Sequence, residues 1–199
     1  MSEQDRYDSL FSRYETGQVP WDDELPPPEV IALAEKLPPG RAIDLGCGYG
    51  RSSIYLAQKG WQVDGVDFIP LAIAGAISRA EERGVSDNPH FHLGRVTHLS
   101  FPDESFDLAL DVGCMHALDD PDLEQYRNTV YRILRPGGQY LLFAHLRNDA
   151  AEVPGRGVSE EMIYILFNSQ FTLENVRHGM TQVEGKPAWA SAWFWYRRN

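Results

Sequence analysis

The sequence has little cysteine. Only two residues of this type, Cys47 and Cys114, occur among 199. Two thiols cannot form a disulfide scaffold, and they cannot supply a four-cysteine zinc site or a cysteine-held iron–sulfur cluster. We therefore predict no metal site. Free thiols are usual in reducing compartments, so we expect a cytoplasmic protein.

Basic side chains and long apolar runs are also scarce. Lysine and arginine number 18 against 29 acidic residues, which gives a net charge of −11. Such a charge repels phosphate backbones, so we predict no nucleic-acid partner. The chain has no run of about 18 apolar residues, and the polar start MSEQDRYDSL is not typical of a secretory signal. We therefore expect no membrane partner, and the oligomeric state stays open.

Prolines divide the chain near residue 40. Prolines at 26–28 and at 38–39 frame a short helical pattern over 29–37. A second helical pattern covers 7–14. Because a chain of this length favours one domain, we predict an N-terminal arm over residues 1–40 and one globular domain over residues 41–199.

From residue 41 onward, strand-like and helix-like patterns alternate. This alternation is typical of βαβ units and a mainly parallel sheet. The last two strand patterns have no helix between them, so we expect them to pair antiparallel at one edge. We predict an α/β fold: a doubly wound, seven-stranded, mainly parallel Rossmann-like sheet with an antiparallel edge strand and an N-terminal helical arm. The predicted strands are 41–45, 61–67, 90–93, 106–112, 139–146, 171–177 and 190–196, and the predicted helices are 51–59, 70–83, 121–134 and 159–169.

A glycine-rich turn, DLGCGYG at 44–50, follows the first predicted strand. Its glycines allow the backbone to approach a ligand closely. Asp67 ends the second predicted strand, where a carboxylate can accept both hydroxyls of an adenosine ribose. Arg51 stands where a dinucleotide fingerprint needs its third glycine. Asp44 would repel a pyrophosphate but suits an ammonium group, so the pattern favours a nucleoside that carries an amino acid.

Three motifs in this order resemble the class I S-adenosylmethionine-dependent methyltransferases: AIDLGCGYG at 42–50, VDGVD at 63–67 and ILRPGG at 133–138. The resemblance covers residues 41–146 and implies S-adenosylmethionine as the cofactor. It implies that the methionine part of the cofactor lies against Asp44, Gly46, Cys47 and Gly48. It also implies that Asp67 holds the ribose and that Phe68 and Ile69 pack on the adenine. Val112 and Gly113 are then expected to lie beside the sulfonium.

One element departs from the family pattern. The family often has an acidic residue after the third strand, near the adenine amine, whereas this sequence reads Gly94-Arg95-Val96. We expect the backbone of Arg95 and Val96 to contact the adenine without that carboxylate.

A less specific resemblance involves the N-terminal arm. The segments 14–22, 106–118 and 185–189 are similar to small bacterial enzymes related to the thiopurine, thiol and tellurite methyltransferases. In those relatives the arm folds over the cofactor, which implies that Tyr14 and Trp21 help to close the site.

The resemblance implies methyl transfer to a small-molecule acceptor by in-line displacement. We favour a thiol or another soft nucleophile, which needs little beyond alignment, whereas a hydroxyl or a protonated amine would also need a base. His116, after the fourth strand, is the candidate catalytic residue, as a base or as an orienting contact; His145 ends the next strand. The alternatives are an O- or N-methyltransferase of a small metabolite, a NAD-dependent oxidoreductase and a non-enzymatic cofactor-binding protein.

Overall fold

The structure is a computed structural model that describes residues 3–147, 157–182 and 188–199. Of the C-terminal segment 185–189, residues 185–187 lie outside the described residues. The chain divides into two compact units, Met1–Arg95 and Val96–Asn199. The division into an arm and a domain at residue 40 stays a prediction.

The first unit has three parallel strands in the order β3-β2-β1. Strands β1 and β2 are almost wholly buried, as expected of a parallel sheet that is covered on both faces. Pro70 starts its last helix, where the fixed φ of proline suits the first turn. The elements are α1 (Glu3–Glu15), α2 (Pro28–Lys36), β1 (Arg41–Leu45), α3 (Arg51–Gln58), β2 (Gln62–Asp67), α4 (Pro70–Glu82) and β3 (His90–Leu93).

The second unit has four strands in the order β4-β5-β7-β6. Strands β4 and β5 are parallel, and β7 runs antiparallel to both β5 and β6. Ser159 caps the last helix, because its Oγ accepts a hydrogen bond from Met162 N at 3.1 Å. The elements are β4 (Phe106–Val112), a 3-10 turn (Met115–Ala117), α5 (Asp120–Ile133), β5 (Leu134–His145), α6 (Glu160–Phe167), β6 (Phe171–Thr181) and β7 (Trp189–Arg198).

The strands confirm the predicted fold class, a seven-stranded, mainly parallel sheet with an antiparallel pair at one edge. The antiparallel strand β7 lies one position inside the edge, between β5 and β6. In the described part of the chain, none of the helices combines the length and the apolar character needed to span a membrane.

Strand β5 begins at Leu134, five residues earlier than the sequence predicts. Leu134 pairs with Phe106, and pairing resumes at Gln139 opposite Leu108. The intervening Pro-Gly-Gly segment, with Gly137 at a φ of 77°, therefore forms an irregularity within the strand. The Pro-Gly-Gly segment, which the sequence analysis placed between α5 and β5, therefore lies inside β5.

The two faces of β5 and β7 differ because side chains alternate along a strand. Tyr140 pairs with Tyr196, and Leu142 pairs with Phe194, all on one face and all buried. The ring of Phe167 from α6 lies 5.4 Å from that of Tyr140 and 5.2 Å from that of Tyr196. This face is the aromatic core of the second unit.

The N-terminal residues up to 24 pack on the rest of the first unit through aromatic side chains and ion pairs. Helix α1 contacts α4. A core cluster of Tyr14, Ile69 and Ala72 is lined by partly buried Tyr7, Leu10, Phe11, Val19, Tyr49 and Phe68. Three consecutive acids follow, and each pairs with an arginine: Asp22 with Arg79 at 2.8 Å, Asp23 with Arg51 at 3.1 Å, and Glu24 with Arg83 at 3.1 Å.

Gly75 in α4 is expected to be intolerant of alanine. A Cβ at this position would lie 2.5 Å from the ring of Tyr49, which packs edge-on against Tyr14 at 5.0 Å. Overpacking of this kind costs about 1–3 kcal/mol and outweighs the gain of about 1 kcal/mol from better helix propensity. We expect Gly75→Ala to lower the free energy of unfolding in urea. Gly179→Ala is the control, since nothing lies within 4 Å of that Cβ position, and a Gly75→Ala variant more stable than wild type would contradict this packing.

Candidate active site

The turn after β1 depends on glycines in the left-handed conformation. Gly46 and Gly48 have φ angles of 72° and 55°, which only glycine adopts without strain. The amides of Gly46 and Cys47 donate to the carbonyl of Val66 at 2.8 and 3.0 Å. The turn is therefore attached to the end of β2.

Asp67 ends β2, is buried, and faces this turn. Its Oδ2 accepts a hydrogen bond from Gly48 N at 3.0 Å, and its Oδ1 accepts one from Ile69 N at 2.9 Å. Burial raises the pKa of Asp67, and the backbone hydrogen bonds oppose that rise. Each carboxylate oxygen retains capacity for a second hydrogen bond, so the group can accept from further donors.

Asp44 is a second buried carboxylate of the first unit. Its Oδ2 accepts a hydrogen bond from Ser53 Oγ at 2.7 Å. Burial raises the pKa of Asp44 to about 6, although the bond from Ser53 and the charge of Arg51 lower it. A cation close to this carboxylate would restore its ionised form.

Tyr14 is the arm residue that reaches the glycine turn. Its hydroxyl oxygen lies 3.1 Å from the position that a Cβ on Gly48 would occupy. Burial, followed by the nearby charge of Asp67, raises the pKa of Tyr14, so the hydroxyl stays neutral. Trp21 is 42% exposed and packs edge-on against Tyr14 at 6.4 Å. Trp21 therefore supports Tyr14 at this turn.

The remaining predicted cofactor residues lie at the ends of strands. Ile69 is buried, and half-buried Phe68 packs edge-on against Tyr7 at 5.8 Å. After β3, Arg95 is exposed and Val96 is buried. In the second unit, Val112 is the last residue of β4, and Gly113 follows it with a φ of 95°.

Asp111 organises the turn after β4. Its Oδ1 accepts hydrogen bonds from the amides of Gly113 at 3.0 Å and Cys114 at 2.7 Å, and its Oδ2 accepts from Met115 N at 2.9 Å. Tyr126 donates its hydroxyl to Oδ2 at 2.6 Å. Burial raises the pKa of Asp111 to about 6 against these bonds. Because the carboxylate already has four donors, its role here is structural.

His116 follows this turn and is held in one tautomer. Its Nδ1 accepts a hydrogen bond from the backbone N–H of His145 at 3.3 Å. A backbone amide can only donate, so in the neutral ring the proton is on Nε2. Burial, together with the neighbouring His145, lowers the pKa of His116 to about 3. The arrangement favours a neutral hydrogen-bond donor over a general base.

The structure brings the predicted residues together within each unit. In the first unit, Tyr14, Gly48 and Asp67 converge; in the second, Gly113 lies against His116. Sequence reasoning missed Tyr49, which packs on Tyr14, and Tyr126, which binds Asp111. The glycine inside α4 was a usable signal for Tyr49, because a helical glycine often marks close packing.

The chain is similar to known methyltransferases. Residues 42–138 match the family model of a methyltransferase domain, and the match confirms the resemblance to the class I S-adenosylmethionine-dependent methyltransferases. A 2-heptyl-1-hydroxyquinolin-4(1H)-one methyltransferase from Mycobacteroides abscessus is 29% identical over 144 residues, which are 70% of this chain and 63% of that protein. The chain spans less than two thirds of the length of the first curated relatives that it matches.

Two solved structures share the fold. One, reported for the conversion of a disulfide bond into a thioacetal group during echinomycin biosynthesis, has a TM-score of 0.81 at 23% identity and covers 98% of this chain and 92% of that chain. The other is the 1,6-didemethyltoxoflavin-N1-methyltransferase of Burkholderia thailandensis with bound 1,6-didemethyltoxoflavin and S-adenosylhomocysteine. It has a TM-score of 0.75 at 24% identity and covers 97% of this chain and 87% of that chain.

Removing the hydroxyl of Tyr126 is expected to destabilise the second unit. The Tyr126→Phe variant leaves the buried Asp111 carboxylate one donor short, which costs about 1–3 kcal/mol. Urea unfolding measures the loss. Tyr55→Phe, at a half-buried position of α3, is the control and should stay within about 0.5 kcal/mol of wild type. Equal stability of both variants would contradict a structural role for this bond.

Proposed function

We propose that this protein transfers a methyl group from S-adenosylmethionine to a small-molecule acceptor. The observation that carries the proposal is Asp67, a buried carboxylate whose two oxygens are oriented by Gly48 N and Ile69 N and still have room for two hydroxyls. The vicinal hydroxyls of a ribose match that arrangement. The Burkholderia thailandensis neighbour, with S-adenosylhomocysteine bound, supports the same cofactor class.

The residues of this chain fit the cofactor. The turn of Gly46, Cys47 and Gly48 offers close backbone approach, and Asp44 suits the ammonium group of the methionine part. When bound, S-adenosylmethionine supplies a methyl group whose bond to the positive sulfur breaks as a lone pair of the acceptor forms a bond to carbon. The other residues proposed to contact the cofactor are Tyr14, Trp21, Asp67, Phe68, Ile69, Arg95, Val96, Val112 and Gly113.

For the acceptor, we propose a nucleophile that needs no base from the protein, such as a thiolate. The observation in favour is His116, whose Nδ1 is engaged by His145 N and whose Nε2 carries the proton. A ring in that tautomer donates a hydrogen bond and orients the acceptor. The relatives named for a hydroxyquinolinone and for 1,6-didemethyltoxoflavin support a small-molecule acceptor without selecting its reacting atom.

Calorimetric titration with S-adenosylmethionine, S-adenosylhomocysteine and NADH tests the cofactor class. Micromolar binding of both adenosyl compounds without NADH binding is the expected result. Binding of NADH alone would favour an oxidoreductase. Binding of the adenosyl compounds without turnover of any thiol, phenol or amine would favour a protein that only senses the cofactor.

Asp67→Ala is expected to weaken S-adenosylmethionine binding by more than about tenfold. The variant loses charge-assisted hydrogen bonds worth about 1.4 kcal/mol or more. Calorimetry measures the affinity, and circular dichroism confirms that the variant is folded. Asp87→Ala, which removes an exposed carboxylate of the same unit, is the control. Unchanged affinity in a folded Asp67→Ala variant would remove the ribose assignment.

Cofactor affinity is expected to rise with pH through the pKa of Asp44, which burial raises to about 6. Below that pH the carboxyl group is protonated and must lose its proton to pair with an ammonium group, so affinity falls as the pH is lowered. Calorimetry between about pH 5 and pH 7.5 should show a shallower dependence for Asp44→Asn. Some dependence will remain in the variant, because the pKa of Asp67 is also raised. Identical slopes for both proteins would contradict the assignment.

A further inference from the structure

The second unit has an aromatic surface on the sheet face opposite its core. Phe143 and His145 of β5 point away from the face that carries Tyr140, because side chains alternate along the strand. On β7, Trp193 pairs directly with Phe143, and their rings are 4.9 Å apart. We refer to five residues, Phe143, His145, Trp193, Trp189 and His116, as the aromatic platform.

Two imidazole rings form the centre of this platform. The ring of His116 stacks on that of His145, with centroids 4.4 Å apart and planes 28° apart. The ring of Trp189 lies edge-on to His145 at 5.2 Å, and Phe143 lies edge-on to it at 5.4 Å. The ring of His145 thus has two aromatic neighbours, both in the edge-on geometry that aromatic pairs prefer.

The imidazole pair is uncharged at neutral pH. Burial lowers the pKa of His145 to about 4, and the pKa of His116 is lower still. Two stacked imidazolium ions would repel each other, whereas two neutral rings do not. The platform therefore offers flat π surfaces and the Nε2–H of His116, a donor whose tautomer is fixed by the hydrogen bond from His145 N.

The platform adjoins Gly113. A Cβ on this glycine would lie 3.3 Å from Cε1 of His116 and 3.8 Å from Cδ1 of Phe143. The proposed function assigns Gly113 to the neighbourhood of the reacting sulfur. Four members of the platform, His116, Phe143, His145 and Trp189, are only partly buried, unlike the opposite face of the same strands. The platform therefore retains partly exposed ring surface.

We propose that the aromatic platform binds a planar aromatic or heteroaromatic ring of the methyl acceptor, and that the Nε2–H of His116 donates a hydrogen bond to a heteroatom on that ring. The inference rests on the proposed function and narrows its acceptor class. It makes His116 and His145 specificity-determining residues. Aliphatic thiols are then poor acceptors, and ring-bearing nucleophiles are good ones.

Binding of three small probes, measured by NMR titration in the presence and absence of S-adenosylhomocysteine, tests the proposal without turnover. Phenol against cyclohexanol reports the preference for a flat ring, and phenol against toluene reports the hydrogen bond. We expect phenol to bind about tenfold tighter than cyclohexanol, the size expected of aromatic contacts. An equal affinity of phenol and cyclohexanol, or no binding of any probe, would overturn the inference.

Substitutions at His145 and His116 test the flat ring and the hydrogen-bond donor separately. His145→Phe retains a flat ring and should retain the phenol-to-cyclohexanol preference, whereas His145→Leu should reduce that preference to about twofold or less. His116→Phe should retain the flat-ring preference but lower the phenol-to-toluene ratio. If His145→Leu fails to fold, as judged by circular dichroism, Trp189→Leu removes another ring of the platform in its place. A wild-type preference in the folded leucine variant would overturn the inference.

The result is distinguishable from failure of the proposed function. S-adenosylmethionine binding, measured by calorimetry on the same variants, should be unchanged by His145→Phe. Cofactor binding and methyl transfer without a preference for flat rings would support the proposed function and contradict the role of the aromatic platform. A preference for flat rings without cofactor binding would support the role of the aromatic platform and contradict the proposed function.

Discussion

In each unit, a buried carboxylate near the end of a strand accepts hydrogen bonds from backbone amides of nearby turns, and the conformation of those turns depends on this interaction. Asp67 accepts from Gly48 N and Ile69 N after β2, and Asp111 accepts from three consecutive amides after β4. Burying a charge is costly unless it is hydrogen-bonded. The carboxylates therefore hold their turns in one conformation, since releasing the amides would leave a buried charge unpaired.

The two carboxylates differ in how many further hydrogen bonds they can accept. Asp67 has one donor on each oxygen and can still accept from a ligand. Asp111 has four donors, including Tyr126, and is saturated. The first is therefore suited to binding, whereas the second sets the path of the turn that carries Gly113 and His116. The same residue type near two strand ends thus differs in its capacity to accept a further hydrogen bond.

The arm depends on packing more than on its charges. The pair of Asp22 with Arg79 is bidentate and partly buried, but the carboxylates of Asp23 and Glu24 are largely exposed. Exposed pairs contribute about 0–1 kcal/mol each. Burial of Tyr14 against Ile69 and Ala72 therefore contributes more than these exposed pairs, and it also brings the Tyr14 hydroxyl to the glycine turn.

The sequence by itself determined the strand and helix alternation, the glycine turn and the position of Asp67, because hydrophobic period and turn chemistry are local properties. Only the tertiary structure decided that β7 lies between β5 and β6, that Tyr126 binds Asp111, and that His145 N selects the tautomer of His116. The last two contacts join residues 15 and 29 positions apart. Their partners are chosen by packing and strand register, which no local pattern in the chain encodes.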